Sequence, residues 1–598
     1  MASTPSHVGE LRRADFRAAL VLALFLILLG LYPHLRFSLS MGELSFFKGA
    51  YDEDTYFNLM RSGIVFRNDR ALSFYALKFL YELTGHSANL TLIAADLVFP
   101  VLAGIAAYVL AAQQAGRWLV RLALALALLL AADILSLANA AVWMQWNVLG
   151  RLRSLFGAWG PMLVPSPDVA YLEIFRTPEP QVSYIVTFVA WALLIRIARR
   201  TQAPVTGELA LLAGVNVALP WAYLFTTLPT LALQTWLAVA MLRHRRMTAV
   251  WLLLITAAAA VATALGVSGD AKGNMFPSHL PVVSPATVLG AASIVVVGGL
   301  LMRRGQKDLV LWLALGFVAL PFVMANQQIV TGVMPTAREW ERYVSFQLLV
   351  TGLALALPAG FAAIGIRAGR VIGYGSAFAV LLSVILMVRA QALTYRYFEA
   401  LNVNALATAR ALESAGPAVA AARVLLDDVN LVPQVTARRP LPPPRFVIDY
   451  TGNFLDPVPE MDRDGGAPDS PHAQSLFEYW WRTGVPAEAA EAVLRADAAA
   501  RGGFFSAFVF NMHDFLGVMT DNRAIRPEAV ARAIPTVIDR YRAYLIAALQ
   551  KADPMPVILL TAAKPSDVRT PSGLTNRLLG TGNAGAATIY AYRQERLE

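Results

Sequence analysis

The chain has no cysteine among its 598 residues. This absence excludes disulfide bonds, thiolate chemistry and cysteine-ligated zinc sites, and the seven histidines show no metal-ligand spacing. Charged residues are also scarce: they make up 15% of the chain, whereas soluble domains carry about 25%. Because 57% of the residues are hydrophobic and the mean hydropathy is +0.53, we expect much of the surface to face lipid rather than water.

The charge that is present is mainly basic, with a net charge of +10 and a pI of about 9.7. In a soluble protein this balance would indicate nucleic-acid binding. Here most of the excess lies in short loops between apolar segments, where basic residues orient membrane helices beside anionic lipid. We therefore predict that membrane lipids are partners of the chain and that nucleic acid is not.

Long apolar segments recur along the first two thirds of the chain. A bilayer core of about 30 Å requires about 20 apolar residues per helix. The first segment lacks a small-residue cleavage site, so it is a retained helix rather than a signal peptide. The sequence predicts about eleven membrane spans, at 18–36, 91–114, 118–137, 181–198, 207–224, 226–242, 247–267, 284–302, 308–326, 343–365 and 371–390.

The arginines between these spans predict their orientation. With eleven spans, every cluster falls on one side of the membrane, which is the cytoplasm by the positive-inside rule. The N-terminus is then cytoplasmic and everything after about residue 391 is exported. High alanine and arginine content, compact loops and the lack of cysteine suit a bacterial inner membrane with a periplasmic C-terminal domain. The clusters are Arg12/Arg13/Arg17, Arg117/Arg121, Arg196/Arg199/Arg200, Arg243/Arg245/Arg246, Arg303/Arg304/Lys307 and Arg367/Arg370.

The C-terminal third has the composition of a soluble domain. We predict an all-α polytopic membrane domain over 1–395 and an extracytoplasmic α/β domain over 396–598. Helical periodicity predicts helices at 402–415, 487–500 and 527–549, and short apolar runs predict strands at 422–426, 557–560 and 587–592.

The first predicted exported loop contains Tyr51-Asp52-Glu53-Asp54-Thr55-Tyr56. Neighbouring carboxylates raise one another's pKa values, and such a cluster at the membrane surface suits a general base. A solvated acidic turn, or the first turn of a helix, is the alternative. The stretches 56–66 and 72–83 that follow are predicted to be amphipathic helices at the membrane interface.

The sequence Asp52-Glu53-x-x-Tyr56 between a first helix and an interface helix resembles the C-type (GT-C) glycosyltransferase superfamily. That superfamily includes protein O-mannosyltransferases and lipid A aminoarabinose transferases. The resemblance implies a polyprenyl-phosphate sugar donor, Asp52 as the general base and Glu53 as its supporting neighbour. An alternative interpretation of the same residues includes Asp54, because Asp52-x-Asp54 offers oxygen ligands to a divalent cation such as Mg²⁺ or Mn²⁺.

The second exported loop ends with Glu173-Ile-Phe-Arg176-Thr-Pro-Glu179-Pro-Gln181. We interpret Glu179 as a further catalytic carboxylate and Arg176 as a phosphate ligand. The two prolines predict an extended backbone that lines these side chains up along a strip. An anchor with ordinary interface charges is the alternative.

The fourth exported loop contains Arg338-Glu339-Trp340-Glu341-Arg342-Tyr343. Basic residues here run against the positive-inside trend. Arg338 and Arg342 would share a helix face and bind the phosphate of the lipid-linked donor. Salt bridges with Glu341 and Glu339 are the alternative.

Two other features carry weaker predictions. Asp96 and Asp133, near the exported ends of their spans, are either functional or hydrogen-bonded within the helix bundle. The run Tyr479-Trp480-Trp481-Arg482 superficially resembles the Trp-Trp-Asp signature of oligosaccharyltransferases, but Arg482 stands where the aspartate belongs, so we expect aromatic packing.

These features together predict a membrane glycosyltransferase that moves a sugar, with inversion, from a polyprenyl-phosphate carrier to a lipid, glycan or protein acceptor on the extracytoplasmic face. The alternatives are a transporter or flippase of a lipid-linked glycan, which would show internal repeats and broken helices, and a non-catalytic membrane assembly protein.

Overall fold

The computed structural model describes most of the chain. The described residues are 5–48, 56–57, 60, 70–114, 116–135, 172–200, 205–267, 275–277, 279, 281–305, 308–335, 340–364, 369–428, 431–438, 445–447, 471–500, 527–550, 556–571 and 573–596. They are mostly helical, with a small sheet near the C-terminus. Alanine and leucine fill the helix interiors, and both favour helix and pack closely.

The first 414 residues form twelve labelled helices and two short strands within the described part of the chain. The helices are α1 Pro5–Met41, α2 Ala71–Leu83, α3 Ala88–Ala112, α4 Trp118–Leu135, α5 Gln181–Arg199, α6 Thr206–Ala218, α7 Leu224–Met241, α8 Arg246–Val267, α9 Pro285–Arg304, α10 Leu309–Asn326, α11 Phe346–Ile364 and α12 Gly369–Ser414; the strands are β1 Met275–Pro277 and β2 Val333–Pro335.

Nine helices in the described residues are long and apolar enough to cross a membrane, so the chain is a multi-pass membrane protein. They lie at 14–41, 88–112, 181–199, 224–241, 246–266, 285–304, 309–326, 343–361 and 373–414. Each coincides with one predicted span. The other two predicted spans coincide with α4, of 18 residues, and α6, of 13 residues, and the total of eleven stays a prediction.

Local sequence explains where several helices begin. Ser284 caps α9 in a capping box with Thr287, and Pro285 occupies the first helical position. Asp308 caps α10 by accepting hydrogen bonds from the amides of Val310 and Leu311. Strands β1 and β2 pair in antiparallel register, which joins the third and fourth predicted exported loops just before Trp340.

Contacts between residues divide the chain into two compact units. The membrane unit comprises 1–36, 66–86 and 90–397, and the tail unit comprises 37–65, 87–89 and 398–598. The membrane unit is held by one large apolar cluster of leucine, alanine and aromatic side chains. The start of the first predicted exported loop therefore groups with the C-terminal residues, which the sequence did not indicate.

The described elements of the tail unit after α12 are β3 Arg423–Leu426, α13 Val432–Arg438, β4 Arg445–Phe446, α14 Pro471–Arg482, α15 Ala487–Ala500, α16 Pro527–Gln550, β5 Val557–Thr561, β6 Leu574–Ala584 and β7 Ala587–Arg596. The five strands form one mixed sheet in the order β4-β3-β5-β7-β6. Strand β3 is parallel to β4 and β5, and the pairs β5–β7 and β7–β6 are antiparallel.

Most of the predicted tail elements are confirmed within a few residues. The exception is the helix predicted over 402–415, which is the end of the 46-residue α12 and no separate element. The aromatic run is also confirmed as packing: Trp480 and Trp481 are buried in the tail core. Arg482 is 1% exposed and pairs with Glu478 at 2.8 Å, so its charge is compensated inside the fold.

Candidate functional site

The segment before α5 makes a tight turn. Glu173–Phe175 forms a single 3₁₀ turn, and the peptide bonds before Pro178 and Pro180 are cis. The amides of Val182 and Tyr184 donate to the carbonyls of Pro178 and Pro180. The predicted extended strip is therefore wrong for residues 177–180, which form turns that lead into α5, and Thr177 and Glu179 contact different partners.

Glu179 lies in this turn with 4% of its surface exposed. The hydroxyl of Ser73 on α2 donates to its Oε1. The hydroxyl of Ser183 on α5 lies 2.8 Å and 3.0 Å from the two carboxylate oxygens and accepts a 3.0 Å bond from the amide of Tyr223. Glu179 thus ties three separate segments together, since buried carboxylates require such partners.

Tyr223, whose amide contacts Ser183, belongs to a group of two arginines and two tyrosines. We call Arg70, Tyr223, Tyr343 and Arg176 the arginine–tyrosine cluster. The rings of Tyr223 and Tyr343 meet edge to face at 5.0 Å. The Arg70 guanidinium lies 4.7 Å from the Tyr223 ring and donates to its hydroxyl at 3.2 Å. The Arg176 guanidinium lies 5.6 Å from the Tyr343 ring and 3.8 Å from Glu173. Stacking on aromatic rings fixes the guanidinium planes.

Two irregular helical turns position the tyrosines of the cluster. A 3₁₀ turn at Leu219–Trp221 separates α6 from α7, and Tyr223 is the residue before α7. A π-helical turn at Glu341–Ser345 opens into α11 and carries Tyr343. The Tyr343 carbonyl accepts a 2.9 Å bond from the hydroxyl of Tyr184, which holds this turn against α5.

Asp96 and Asp133 are hydrogen-bonded within the helix bundle. Asp96 is fully buried, with His34 Nε2 at 2.8 Å from one oxygen and the Thr177 hydroxyl donating to the other at 2.6 Å. Asp133 accepts a 3.4 Å bond from the Glu173 amide. Both aspartates therefore hold ends of the turn that carries Glu179 and Arg176.

The structure brings together only some of the predicted site residues. Glu179 and Arg176 lie in the site described above. The carboxylates Asp52, Glu53 and Asp54 and the guanidinium of Arg338 lie outside the described residues. Arg342 falls in the π-helical turn, but its side chain is also outside the described part, so these predicted roles stay predictions.

Sequence reasoning missed Arg70, Ser73, Ser183, Tyr223 and Tyr343 as site residues. One signal was available for Arg70, because it is a basic residue in a predicted exported loop, which is the criterion that selected Arg338 and Arg342. A second signal was the sequence Pro220-Trp221-Ala-Tyr223, which interrupts an apolar run at the end of a predicted span. No feature of the sequence marked Ser73 and Ser183 as site residues, since a single serine in an apolar helix is common.

No group of three or more histidine and acidic side chains comes together among the described residues in a way that would hold a metal ion. The predicted cation ligand, Asp54, lies outside that part. The chain matches no known protein-family model, and no curated protein is significantly similar to it.

Proposed function

We propose that the chain is a GT-C-type membrane glycosyltransferase that moves a sugar from a polyprenyl-phosphate donor to an acceptor on the extracytoplasmic face. The observation that carries the proposal is a buried carboxylate, Glu179, joined through Ser183 to a cluster with two arginines stacked on tyrosines. Planar guanidiniums held by rings suit phosphate recognition. A hydrogen-bonded carboxylate nearby suits an acceptor that presents hydroxyl groups.

The predicted topology supports this assignment. His34 ends the first predicted span, Asp96 begins the second, Glu179 precedes the fourth and Tyr223 ends the fifth. Each of these positions is exported in the orientation that the arginines predict. Residues contributed by separate parts of the chain thus meet at one face of the membrane, the face on which a lipid-linked donor would present its sugar.

The proposed chemistry is a single displacement at the anomeric carbon. The acceptor oxygen attacks that carbon, the bond from carbon to the phosphate oxygen breaks, and the acceptor proton passes to the carboxylate of Asp52. The polyprenyl phosphate leaves with the electron pair, and the arginines stabilise its charge. Glu53 supports Asp52, and Glu179 is the carboxylate that the second exported loop contributes to the site. Arg338 and Arg342 stay predicted phosphate ligands beside Arg70 and Arg176.

The test is sugar transfer by the purified full-length protein in lipid nanodiscs. A panel of polyprenyl-phosphate hexoses and pentoses serves as donors, a bacterial envelope extract supplies acceptors, and released polyprenyl phosphate is measured. Asp52→Asn keeps the volume of the side chain but accepts no proton at neutral pH, so turnover should fall by about 10²–10⁴-fold. Glu53→Gln should reduce it less, because a supporting residue takes no proton.

Asp54→Asn is the matched control for this experiment. If it reduces turnover more than Asp52→Asn does, and a chelator abolishes the wild-type reaction, the acidic residues bind a divalent cation and Asp52 is not the base. Full turnover in both Asp52→Asn and Glu179→Gln would refute the proposed mechanism.

A second candidate function, a flippase for a lipid-linked glycan, is favoured by one observation. The 3₁₀ turn at Leu219–Trp221, between α6 and α7, and the π-helical turn at Glu341–Ser345, at the start of α11, both lie at the cluster, and transporters use irregular helical backbone to build their sites. Proteoliposomes separate the two functions. A flippase moves a fluorescent polyprenyl-phosphate sugar between leaflets with the sugar bond intact, whereas a transferase releases polyprenyl phosphate.

A further inference from the structure

Residues 45–48, which follow α1, are buried within the tail unit, although they belong to the first predicted exported loop. We call residues 41–48 the first-loop strap. Ser45, Phe46 and Phe47 are each fully buried, and Lys48 is 1% exposed. After Met41, the last residue of α1, the strap has no regular helix or strand, so side chains from elsewhere must satisfy its buried backbone hydrogen-bonding groups.

Asn402 on α12 hydrogen-bonds both backbone groups of one strap residue, Phe47. Its Oδ1 accepts from the Phe47 amide at 2.9 Å, and its Nδ2 donates to the Phe47 carbonyl at 2.9 Å. An amide side chain that pairs with both backbone groups of one residue mimics a strand partner. This arrangement fixes both the position and the direction of the strap at Phe47.

Arg438, the last residue of α13, holds the strap at Ser45. Its two terminal nitrogens donate to the Ser45 hydroxyl at 3.1 Å and to the Ser45 carbonyl at 3.3 Å, and one of them also donates to Asn402 Oδ1 at 2.7 Å. The guanidinium lies 5.1 Å from the Phe47 ring and 5.6 Å from the Phe37 ring. Burial lowers the pKa of Arg438 to about 10, so it stays charged at neutral pH.

Arg410 on α12 completes the set at the start of the strap. One of its nitrogens donates to the Met41 carbonyl at 3.1 Å, and another donates to the carbonyl of Asn583, near the end of β6, at 2.7 Å. Three side chains from the C-terminal part of the chain thus bind the strap backbone at Met41, Ser45 and Phe47. Three hydrogen-bonding side chains from distant parts of the sequence hold this one short segment, which indicates that its position matters.

We infer that Asn402, Arg410 and Arg438 are positioning residues through which the C-terminal domain fixes the first-loop strap. Asp52 follows Phe47 by five residues, and five residues span at most about 18 Å, so the anchor at Phe47 limits how far Asp52 can lie from it. The inference that this serves catalysis rests on the proposed function. The C-terminal domain then takes part in catalysis by holding the segment that precedes Asp52.

The strap itself is tested by distance measurement in the full-length protein. Because the chain has no cysteine, the double variant Leu44→Cys/Arg577→Cys offers two exposed sites for nitroxide labels and no others. Pulsed electron paramagnetic resonance should give one narrow distance distribution. Adding Asn402→Ala or Arg438→Ala should broaden it, and adding Arg495→Ala, a change at an exposed tail arginine, should not. An unchanged narrow distribution in both strap variants would overturn the inference.

The positioning role is tested by turnover of the polyprenyl-phosphate sugar panel. Misplacement of a catalytic group by about 1 Å costs about 10²-fold, so Asn402→Ala and Arg438→Ala should lower kcat by roughly tenfold to a hundredfold with little change in KM for the donor. Arg438→Lys and Asn402→Asp nearly retain volume and keep some of the bonds, so they should recover part of kcat and confirm that folding is intact.

The label distances and the turnover measurements test different parts of the inference. Full turnover in a variant whose label distances have broadened would overturn the positioning role. Absence of turnover by the wild-type protein with every donor would refute the proposed function, and the positioning role with it. The label distances would still decide whether the C-terminal domain holds the strap.

Discussion

At the scale of single residues, the Glu179 carboxylate accepts a hydrogen bond from Ser73 on α2, and Ser183 connects it to the amide of Tyr223. The guanidiniums of Arg70 and Arg176 lie over the rings of Tyr223 and Tyr343.

The two arginines of the cluster carry the first prediction. The sequence indicated the residues of the site unequally: Arg176, like Glu179, is a charged residue next to a predicted membrane span, whereas the contact between Glu179 and Ser73 joins residues 106 positions apart, which no local pattern encodes. Loss of one charge-assisted hydrogen bond costs about 1.5–3 kcal/mol, so Arg70→Ala and Arg176→Ala should each weaken binding of polyprenyl phosphate about tenfold to a hundredfold. Binding is measured by thermophoresis of the protein in nanodiscs. Arg303→Ala, at an exposed position near the opposite end of a span, is the matched control and should leave the affinity unchanged. Equal affinity in the wild type and in the Arg70→Ala/Arg176→Ala double variant would exclude the cluster as the phosphate site.

At the scale of elements, the hydrophobic periodicity predicted type and position well. The strands at 557–560 and 587–592 and the helix at 487–500 match β5, β7 and α15 closely. Strand β6, at Leu574–Ala584, was missed because its glycines and asparagines are typical of turns. The second predicted interface helix, at 72–83, corresponds to α2, whose Tyr75, Phe79 and Leu83 are exposed at four-residue spacing, as an interface helix requires.

Close helix packing supplies a prediction at this scale. A Cβ atom on Gly352 of α11 would lie 2.7 Å from Val318 and 3.0 Å from the Ala314 carbonyl of α10. Gly352→Ala should therefore force the helices apart and destabilise the protein by about 1–3 kcal/mol. Gly298→Ala in α9 is the matched control, since no atom lies within 4 Å of that position. Thermal unfolding, monitored by size-exclusion chromatography after heating, should show a lower Tm only for Gly352→Ala. Equal Tm values for the two variants would mean that α10 and α11 are not in this contact.

At the scale of the whole molecule, composition and recurring apolar segments predicted a multi-pass membrane protein, because lipid imposes long apolar helices. Periodicity and short apolar runs predicted the C-terminal α/β fold. None of these features predicted that residues 37–65 group with the C-terminal residues. That grouping includes the hydrogen bonds of Asn402 and Arg438 to backbone atoms that lie 355 and 393 positions earlier in the chain. Hydrogen bonds to backbone atoms leave no trace in the sequence of the segment that is bound.

The predicted orientation is testable at the same scale. Alkaline phosphatase fused after residue 438 should be active and green fluorescent protein fused there should be dark, because only the periplasm supports the first and only the cytoplasm supports the second. Fusions after Arg304 should give the opposite pattern. Cytoplasmic fluorescence from the residue 438 fusion would place the proposed site on the wrong face of the membrane for an exported acceptor.

Binding of a lipid-linked phosphate at the arginine–tyrosine cluster beside Glu179 is tested by a cryo-electron microscopy structure of the full-length protein in nanodiscs that contain polyprenyl phosphate. We expect phosphate density within hydrogen-bond distance of Arg70 or Arg176, with Tyr223 and Tyr343 beside it. Phosphate density held only by residues outside the cluster would show that the lipid-linked phosphate binds elsewhere.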